Sequence, residues 1–292
     1  MIYFANIIYY NEPIDFSSFI DLCLNEIGKF IPENSFGKQY IKYSVLENYD
    51  YYGLPARRIN VENYVRTMKS LGLCRFEIEK KTYLRCTPPT RLLAQAYSRR
   101  IGLETVPKIV RLSNYPPGVM MIFYNLLLKD ALYVAILKIL QGKHGLGIKK
   151  IKRVELLREL GYDFKKNYGV FRHKIEPRLW FMNDLELIQI GRDDRANTFY
   201  VLHESLNHSR KQYAEYCGLK VLPSINSFIT SILKGFVEEV KLMGVELDKK
   251  YVEELLRFRL YLSGFYYENS LTDLLIGFGE CYLVKPGVVR FE

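Results

Sequence analysis

The chain runs to 292 residues, 49% hydrophobic and 25% charged, which supplies cores for about two domains and excludes wholesale disorder. Its densest apolar stretch, Val119 to Leu128, is broken by Tyr124 and Asn125 and falls short of the roughly 18 residues of a membrane span. Against 32 acids stand 42 Lys and Arg, a net charge of +10 concentrated in mid-chain: residues 143–178 carry eleven bases and four acids, whereas residues 207–292 balance at eleven each. A polyanion is the natural partner of such a field. The start, MIYFANIIYYNEP, has neither a basic n-region nor a small-residue cleavage site, so no secretory signal and a cytoplasmic, nucleoid-associated location are expected.

In chain order, residues 15–30 place Phe16, Phe19, Ile20, Cys23, Leu24 and Ile27 at helical spacing, with Asp15 able to cap the start. Residues 38–48 repeat the pattern with Ile41, Val45 and Leu46, and Tyr52-Gly-Leu-Pro55 breaks it. Asn60 then stands as the cap of a third helix, Val61 to Leu71, ended by Gly72. The segments from Leu73 and from Thr82 alternate with period two around Lys80-Lys81, which predicts a hairpin, and Pro88 opens a helix running from Arg91 to Arg100.

Three short helices, a two-stranded hairpin and a further helix over residues 15–100 resemble the winged helix-turn-helix family. The stretch carrying the resemblance is Met68-Lys-Ser-Leu-Gly-Leu, followed by the hairpin and TPPTRLLAQAY. The phrase recurs 114 residues later, pairing Phe19 with Tyr133, Leu22 with Ile136, Val65 with Leu179, Met68 with Met182, Leu71 with Leu185 and Leu73 with Leu187. This second copy predicts helices at Ala131–Gln141, Lys150–Leu160 and Tyr168–Asn183, then strands at Glu186–Ile190 and Thr198–Leu202. Pro177 removes a backbone donor and should kink the last of those helices.

Between the copies, Asn114 to Gly118 reads as a turn, and 119–130 as a buried strand or helix. Helices are expected at Ser209–Tyr216, at Ser224–Met243 starting from Pro223, and at Asp248–Ser263, followed by two short strands around Pro286-Gly287. Ile225, Phe228, Ile229, Ile232, Leu233, Phe236, Val237 and Val240 share one broad face, which serves either for packing or for dimerisation.

In a helix-turn-helix the last helix enters the major groove. The resemblance therefore puts Asn63 and Arg66 towards base edges, as candidates for adenine and guanine, with Arg57, Arg58 and Lys69 on phosphates and Lys80 and Lys81 at a wing tip. In the second copy it implies contacts from Lys149, Lys150, Lys165, Lys166, Tyr168, Arg172, Lys174 and Arg178, with Arg192 and Arg195 at the wing. Trp180 reads as core, and His173 as an exposed neighbour of Arg172.

Signals for chemistry are weak. Gly142-Lys-His-Gly-Leu-Gly147-Ile-Lys-Lys lacks the Gly-Lys-Ser/Thr ending that holds phosphate and magnesium. His144, His173, His203 and His208 form no metal-ligand pair, and the five cysteines no CxxC. Cys74 and Cys86 flank the first hairpin as cross-strand neighbours, either two buried thiols or a disulfide. The serious enzymatic alternative is a metal-dependent nuclease using Asp273, Glu280 and Lys285, or Glu239 and Lys241. Five Gln beside abundant Lys, Ile and Tyr lean towards a thermophile.

The expectation is a mainly α protein with small β-hairpins (α+β): winged-helix domains at 1–113 and 114–206, and a C-terminal helical region at 207–292. It binds double-stranded DNA as a transcriptional regulator, without catalysis, metal or cofactor, and forms a homodimer through the C-terminal helices. The alternatives are a replication-origin initiator, since tandem winged helices also resemble archaeal winged-helix initiators, the nuclease, and a protein-interaction module.

Overall fold

The computed structural model describes residues 2–28, 58–100, 117–163, 166, 168–194, 197–241 and 246–291. The helix expected at 38–48 and the breaker at 52–55 lie outside them. The chain is mixed α+β, with small sheets between helices. It divides into two compact units, residues 1–115 with 123–207, and residues 116–122 with 208–292.

The first unit contains one arrangement twice. In the first module, α1 (Ile2–Asn11) leads into β1 (Ile14–Asp15), α2 (Phe16–Gly28), α3 (Arg58–Ser70) and a hairpin of β2 (Cys74–Ile78) and β3 (Thr82–Cys86); α4 (Pro88–Arg100) follows. Asp15 caps α2 as expected, its carboxylate accepting from the backbone N–H of Ser17 and Ser18 at 3.1 Å each. The third helix starts at Arg58, so Asn60 lies inside its first turn and is not the cap. Phe19, Ile20, Val61, Val65 and Met68 fill the core between these helices and the inner sheet face. The sheet order is β1-β3-β2, with Ile14 opposite Leu84 and Cys74 opposite Cys86. The two cysteines are cross-strand neighbours and both are free thiols, pushed up to about 12 mainly by burial. Glu12 ties the module together: it accepts from the Cys86 N–H at 2.8 Å and pairs with Arg91 on α4.

After α5 (Pro117–Leu127), buried but for the half-buried Pro117 and Asn125, the second module runs α6 (Ala131–Gly145), β4 (Lys150–Lys152), α7 (Arg153–Glu159), a third helix, β5 (Ile188–Arg192) and β6 (Thr198–Leu202). The third helix, α8, is built from Tyr168–Val170, a π-turn at Phe171–Ile175, and Glu176–Asp184. Pro177 acts here through its missing N–H and its ring: the turn before it widens, and the Glu176 N–H reaches back five residues to the Phe171 carbonyl. The expected helix at Lys150–Leu160 is instead a strand followed by a shorter helix. Lys150 and Lys152 face out while Ile151 is buried, a period-two pattern. The sheet order is β4-β6-β5, again first, third, second.

The constant offset of 114 residues holds for the third helix and the first strand of the hairpin. Val65, Met68, Leu71 and Leu73 and their counterparts Leu179, Met182, Leu185 and Leu187 are all buried. It fails upstream. Ile14 faces Leu84 as Ile151 faces Tyr200, so α2 corresponds to α7, and α1 to α6. Phe19 is therefore not the equivalent of Tyr133, nor Leu22 of Ile136. The stretch between second and third helices is far longer in the first module, 29–57 against 160–167, and a gap-free match slides across it.

In both modules the third helix ends on a left-handed residue. Gly72 (φ 72°) and Glu186 (φ 57°) donate to the carbonyls of Lys69 and Asn183 at 3.0 Å, and the next residues, Leu73 and Leu187, donate to Met68 and Met182 at 2.8 and 3.0 Å. This corner takes up Leu185 to Leu187, so β5 begins at Ile188, two residues later than expected.

The second unit contains α9 (Arg210–Tyr216), β7 (Lys220–Leu222), α10 (Ser227–Lys241), β8 (Leu247–Asp248), α11 (Lys249–Leu262), β9 (Phe265–Tyr267), α12 (Leu271–Gly277), β10 (Cys281–Lys285) and β11 (Val288–Phe291). Asn226, not Pro223, caps α10, its side chain accepting from the Ile229 N–H at 3.0 Å. Ile229, Leu233, Phe236, Val237 and Val240 are buried within the unit, and Phe236 lies 5.9 Å from Phe291. The face expected to dimerise is thus largely consumed by intramolecular packing, leaving Ile225 and Phe228 exposed. Among the described residues no single helix is long and apolar enough to cross a membrane.

A left-handed conformation costs a residue with a Cβ roughly 1–2 kcal/mol, and only one module has glycine at this corner. Glu186→Gly should therefore raise unfolding stability by about 1 kcal/mol, and Gly72→Glu should lower it by a similar amount. Urea denaturation of both variants tests the pair.

Candidate nucleic-acid interface

The basic residues sort into those held by the fold and those presented to solvent. On α3, Arg66 and Lys69 are exposed, and the Lys69 ammonium lies 4.5 Å from the Phe76 ring centroid. Lys80 and Lys81 are exposed at the hairpin turn, closed by the Glu79 N–H donating to the Lys81 carbonyl at 3.0 Å. Arg58 and Asn63 are placed on α3 by its backbone, and Arg57 lies outside the described residues.

In the second module Lys149, Lys150, Lys166 and Lys174 are exposed, and Tyr168 and Arg172 are placed on α8 by its backbone. Lys165 and Arg195 lie outside the described residues. Arg192 is exposed at the end of β5, next to Asp193 and Asp194; with Arg195 the turn's sequence carries two bases and two acids and is net neutral. This differs from the basic tip of the first module. Trp180, expected in the core, is half-buried.

Arg178 requires a correction. Its guanidinium is 12% exposed and grips Asp130, Nε to Oδ1 at 3.0 Å and Nη2 to Oδ2 at 2.7 Å, while Nη1 donates to the Lys174 carbonyl at 2.6 Å. Asp130 also caps α6, accepting from the Tyr133 N–H at 2.9 Å. One buried pair thus fastens the first helix of the module to the third, and Arg178 is not presented to a phosphate. Burial works to raise the Asp130 carboxyl, but the hydrogen bonds from Arg178 and the Tyr133 N–H outweigh it and hold the group below its ordinary value. Arg153 has the same character: it lies 4.7 Å from the Phe171 ring centroid and 3.5 Å from Glu176.

The acids considered for cleavage chemistry are engaged by basic side chains. Asp273 pairs with Lys249 at 2.5 Å and Glu280 with Lys241 at 3.4 Å. Glu239 is bound by Arg259, Nη1 to Oε1 at 3.0 Å. Among the described residues no group of three or more His, Cys, Asp or Glu is placed to hold a metal ion.

Sequence reasoning missed the outward face of the second sheet, where Lys150 and Lys152 flank Phe199. Its only signal in the sequence is the alternation Lys150-Ile-Lys152, inside the stretch where a helix is expected. In comparisons with known proteins the chain matches no family model, no curated protein and no solved structure.

Breaking a buried pair by removing one partner costs about 3–5 kcal/mol. Arg178→Ala should destabilise the chain on that scale, far more than Lys174→Ala. Because the folded Asp130 carboxyl is depressed, its contribution is present above the unfolded value of about 3.9 and is lost as pH falls through the folded value. Asp130→Asn should therefore be destabilised at neutral pH and lose less further stability than the wild type between about pH 4 and pH 2. Chemical denaturation across that range measures both.

Proposed function

We propose that the chain is a double-stranded DNA-binding protein with two tandem winged-helix modules, acting as a transcriptional regulator without chemistry of its own. The observation that carries this reading is the order helix, strand, helix, helix, strand, strand, repeated among the described residues, with the same first-third-second sheet and basic residues exposed on the helix before the hairpin. A winged-helix reading aims that helix at the major groove. Arg66 is then the groove-facing candidate, Lys69, Lys80 and Lys81 flank it, and Lys149, Lys166 and Lys174 serve the second module. Two modules in one chain span an extended site without requiring a second chain.

Fluorescence anisotropy with labelled duplex DNA tests the proposal. Affinity should fall steeply between about 50 and 200 mM salt, with a log-log slope of roughly −0.9 per phosphate contacted. Lys80→Gln and Lys81→Gln should each shallow that slope by about one and weaken all sequences alike. Arg66→Ala should cost about 1–3 kcal/mol on a selected site and much less on random DNA. A salt-independent signal, or no binding at about 10 μM protein in low salt, overturns the reading.

A further inference from the structure

We propose that the outward face of the second module's sheet binds an unpaired nucleotide of a nucleic-acid strand, stacking the base on Phe199 and holding phosphates with Lys150 and Lys152. The site is distinct from the third helix and the hairpin tip, and does not depend on the duplex reading.

The ladder fixes which side chains share this face. Phe199 stands opposite Lys152 on β4 and Gly191 on β5; Val201 stands opposite Lys150 and Gln189. None of these six outward residues is an acid. Asp193, two residues beyond Gly191 in the turn, is bound to Asn197, whose backbone N–H donates to it at 2.8 Å and whose side chain donates at 3.1 Å.

The aromatic ring lies flat across the sheet because residue 191 is glycine. A Cβ there would stand 2.5 Å from Phe199 Cε2 and Cζ, so any other residue would make the ring leave this position. The backbone does not require the glycine, since Gly191 is not among the positive-φ residues. The ring requires it. The Lys150 ammonium sits 3.3 Å from the ring centroid and occupies the aromatic surface. A nucleobase stacked on an aromatic ring is held more strongly than an exposed ammonium. The incoming base therefore takes the ring, and the lysine it displaces moves to the strand's phosphate. Lys150 and Lys152 are two residues apart on one face, about 6.6 Å along the strand, so both ammoniums reach the same backbone.

The first module shows that the fold itself does not dictate this face. At the same ladder positions Tyr83 is flanked by Asp15 and Glu77, and Glu77 is held by Arg75 at 3.2 Å and Arg85 at 2.5 Å. Asp15 becomes Lys152, and Glu77 becomes Gly191. A neutral, self-paired face is thus replaced by a cationic one whose ring is covered only by the Lys150 ammonium. An unpaired strand fits it and a duplex does not, because a duplex hides its base faces in the stack, whereas a single strand presents them.

The test uses the full chain with a fluorescein-labelled oligothymidylate of about twenty nucleotides, and labelled duplex DNA in parallel. The wild type should bind the single strand with a negative salt slope. Phe199→Ala should weaken single-strand binding about tenfold or more and leave duplex binding unchanged. Gly191→Val, which pushes the ring off the sheet, should do the same. Lys152→Asp, an exposed change that installs the first module's residue, should weaken the single strand and shallow its slope, and it keeps the test open if an aromatic variant fails to fold. No single-strand binding by the wild type, or wild-type affinity in both a folded Phe199→Ala and Lys152→Asp, overturns the proposal. Equal losses on duplex and single strand overturn the stacking role. Loss of duplex binding alone in these variants likewise overturns it, because the face would then serve a duplex; wild-type binding of the single strand without any duplex binding overturns the winged-helix reading and leaves this one standing.

Discussion

The left-handed corner between third helix and hairpin is the constraint on which both modules depend. Five residues after Met68 and Met182, the N–H of Leu73 and of Leu187 returns to the methionine carbonyl, and the chain leaves the helix in one fixed direction. That direction swings the hairpin back over the helix's apolar face, so that Leu73 and Leu187 join the same core as Val65 and Leu179. It also settles which hairpin residues point inward: Leu84 and Tyr200 on the middle strands are buried, and the edge residues Ile14 and Ile151 pair with them. Without the corner, a one-residue slip would turn every side chain of the hairpin to the wrong face.

Burial decides what the basic residues do. A guanidinium taken out of water must be paired and hydrogen-bonded, because an uncompensated buried charge costs several kcal/mol. Arg178 meets that demand through Asp130 and the Tyr133 ring, and Arg153 in part through Glu176 and the Phe171 ring, its Nε being left without a partner; both become fasteners between elements. Exposed lysines face no such demand, since surface ion pairs contribute about 0–1 kcal/mol. Lys149, Lys166 and Lys174 therefore stay in water, where a polyanion can reach them. The +7 of residues 143–178 overstates the charge a ligand meets, because Lys143 is also spent, on Glu155 and Glu159.

The two modules share a frame but not a surface. Inside, equivalent positions remain large and apolar, which close packing enforces. Outside, Asp15 and Lys152 occupy the same ladder position with opposite charge, and Glu77 gives way to Gly191. The first module's hairpin tip is basic, while the turn of the second balances Arg192 and Arg195 against Asp193 and Asp194.

The sequence alone determined what local periodicity and local capping control. The third helices, the first hairpin, the Asp15 and Asp248 caps and the terminal hairpin are written in spacings of two to four residues, and such signals survive whatever the rest of the chain does. The 114-residue repeat was legible wherever the two modules have equal loop lengths. Tertiary structure decided the remainder. It shifted the equivalence of the first two helices, because pairing of β1 and β4 with distant strands fixes which helix follows. It turned Lys150–Lys152 into a strand, since Val201, Tyr200 and Phe199 offered a ladder that local propensity could not foresee. It withdrew Arg178 from the surface, because Asp130, 48 residues away, needed a partner. It consumed the apolar face of α10 inside its own unit. In each case the deciding partner lies far off in sequence, and only the folded chain brings the two within bonding distance.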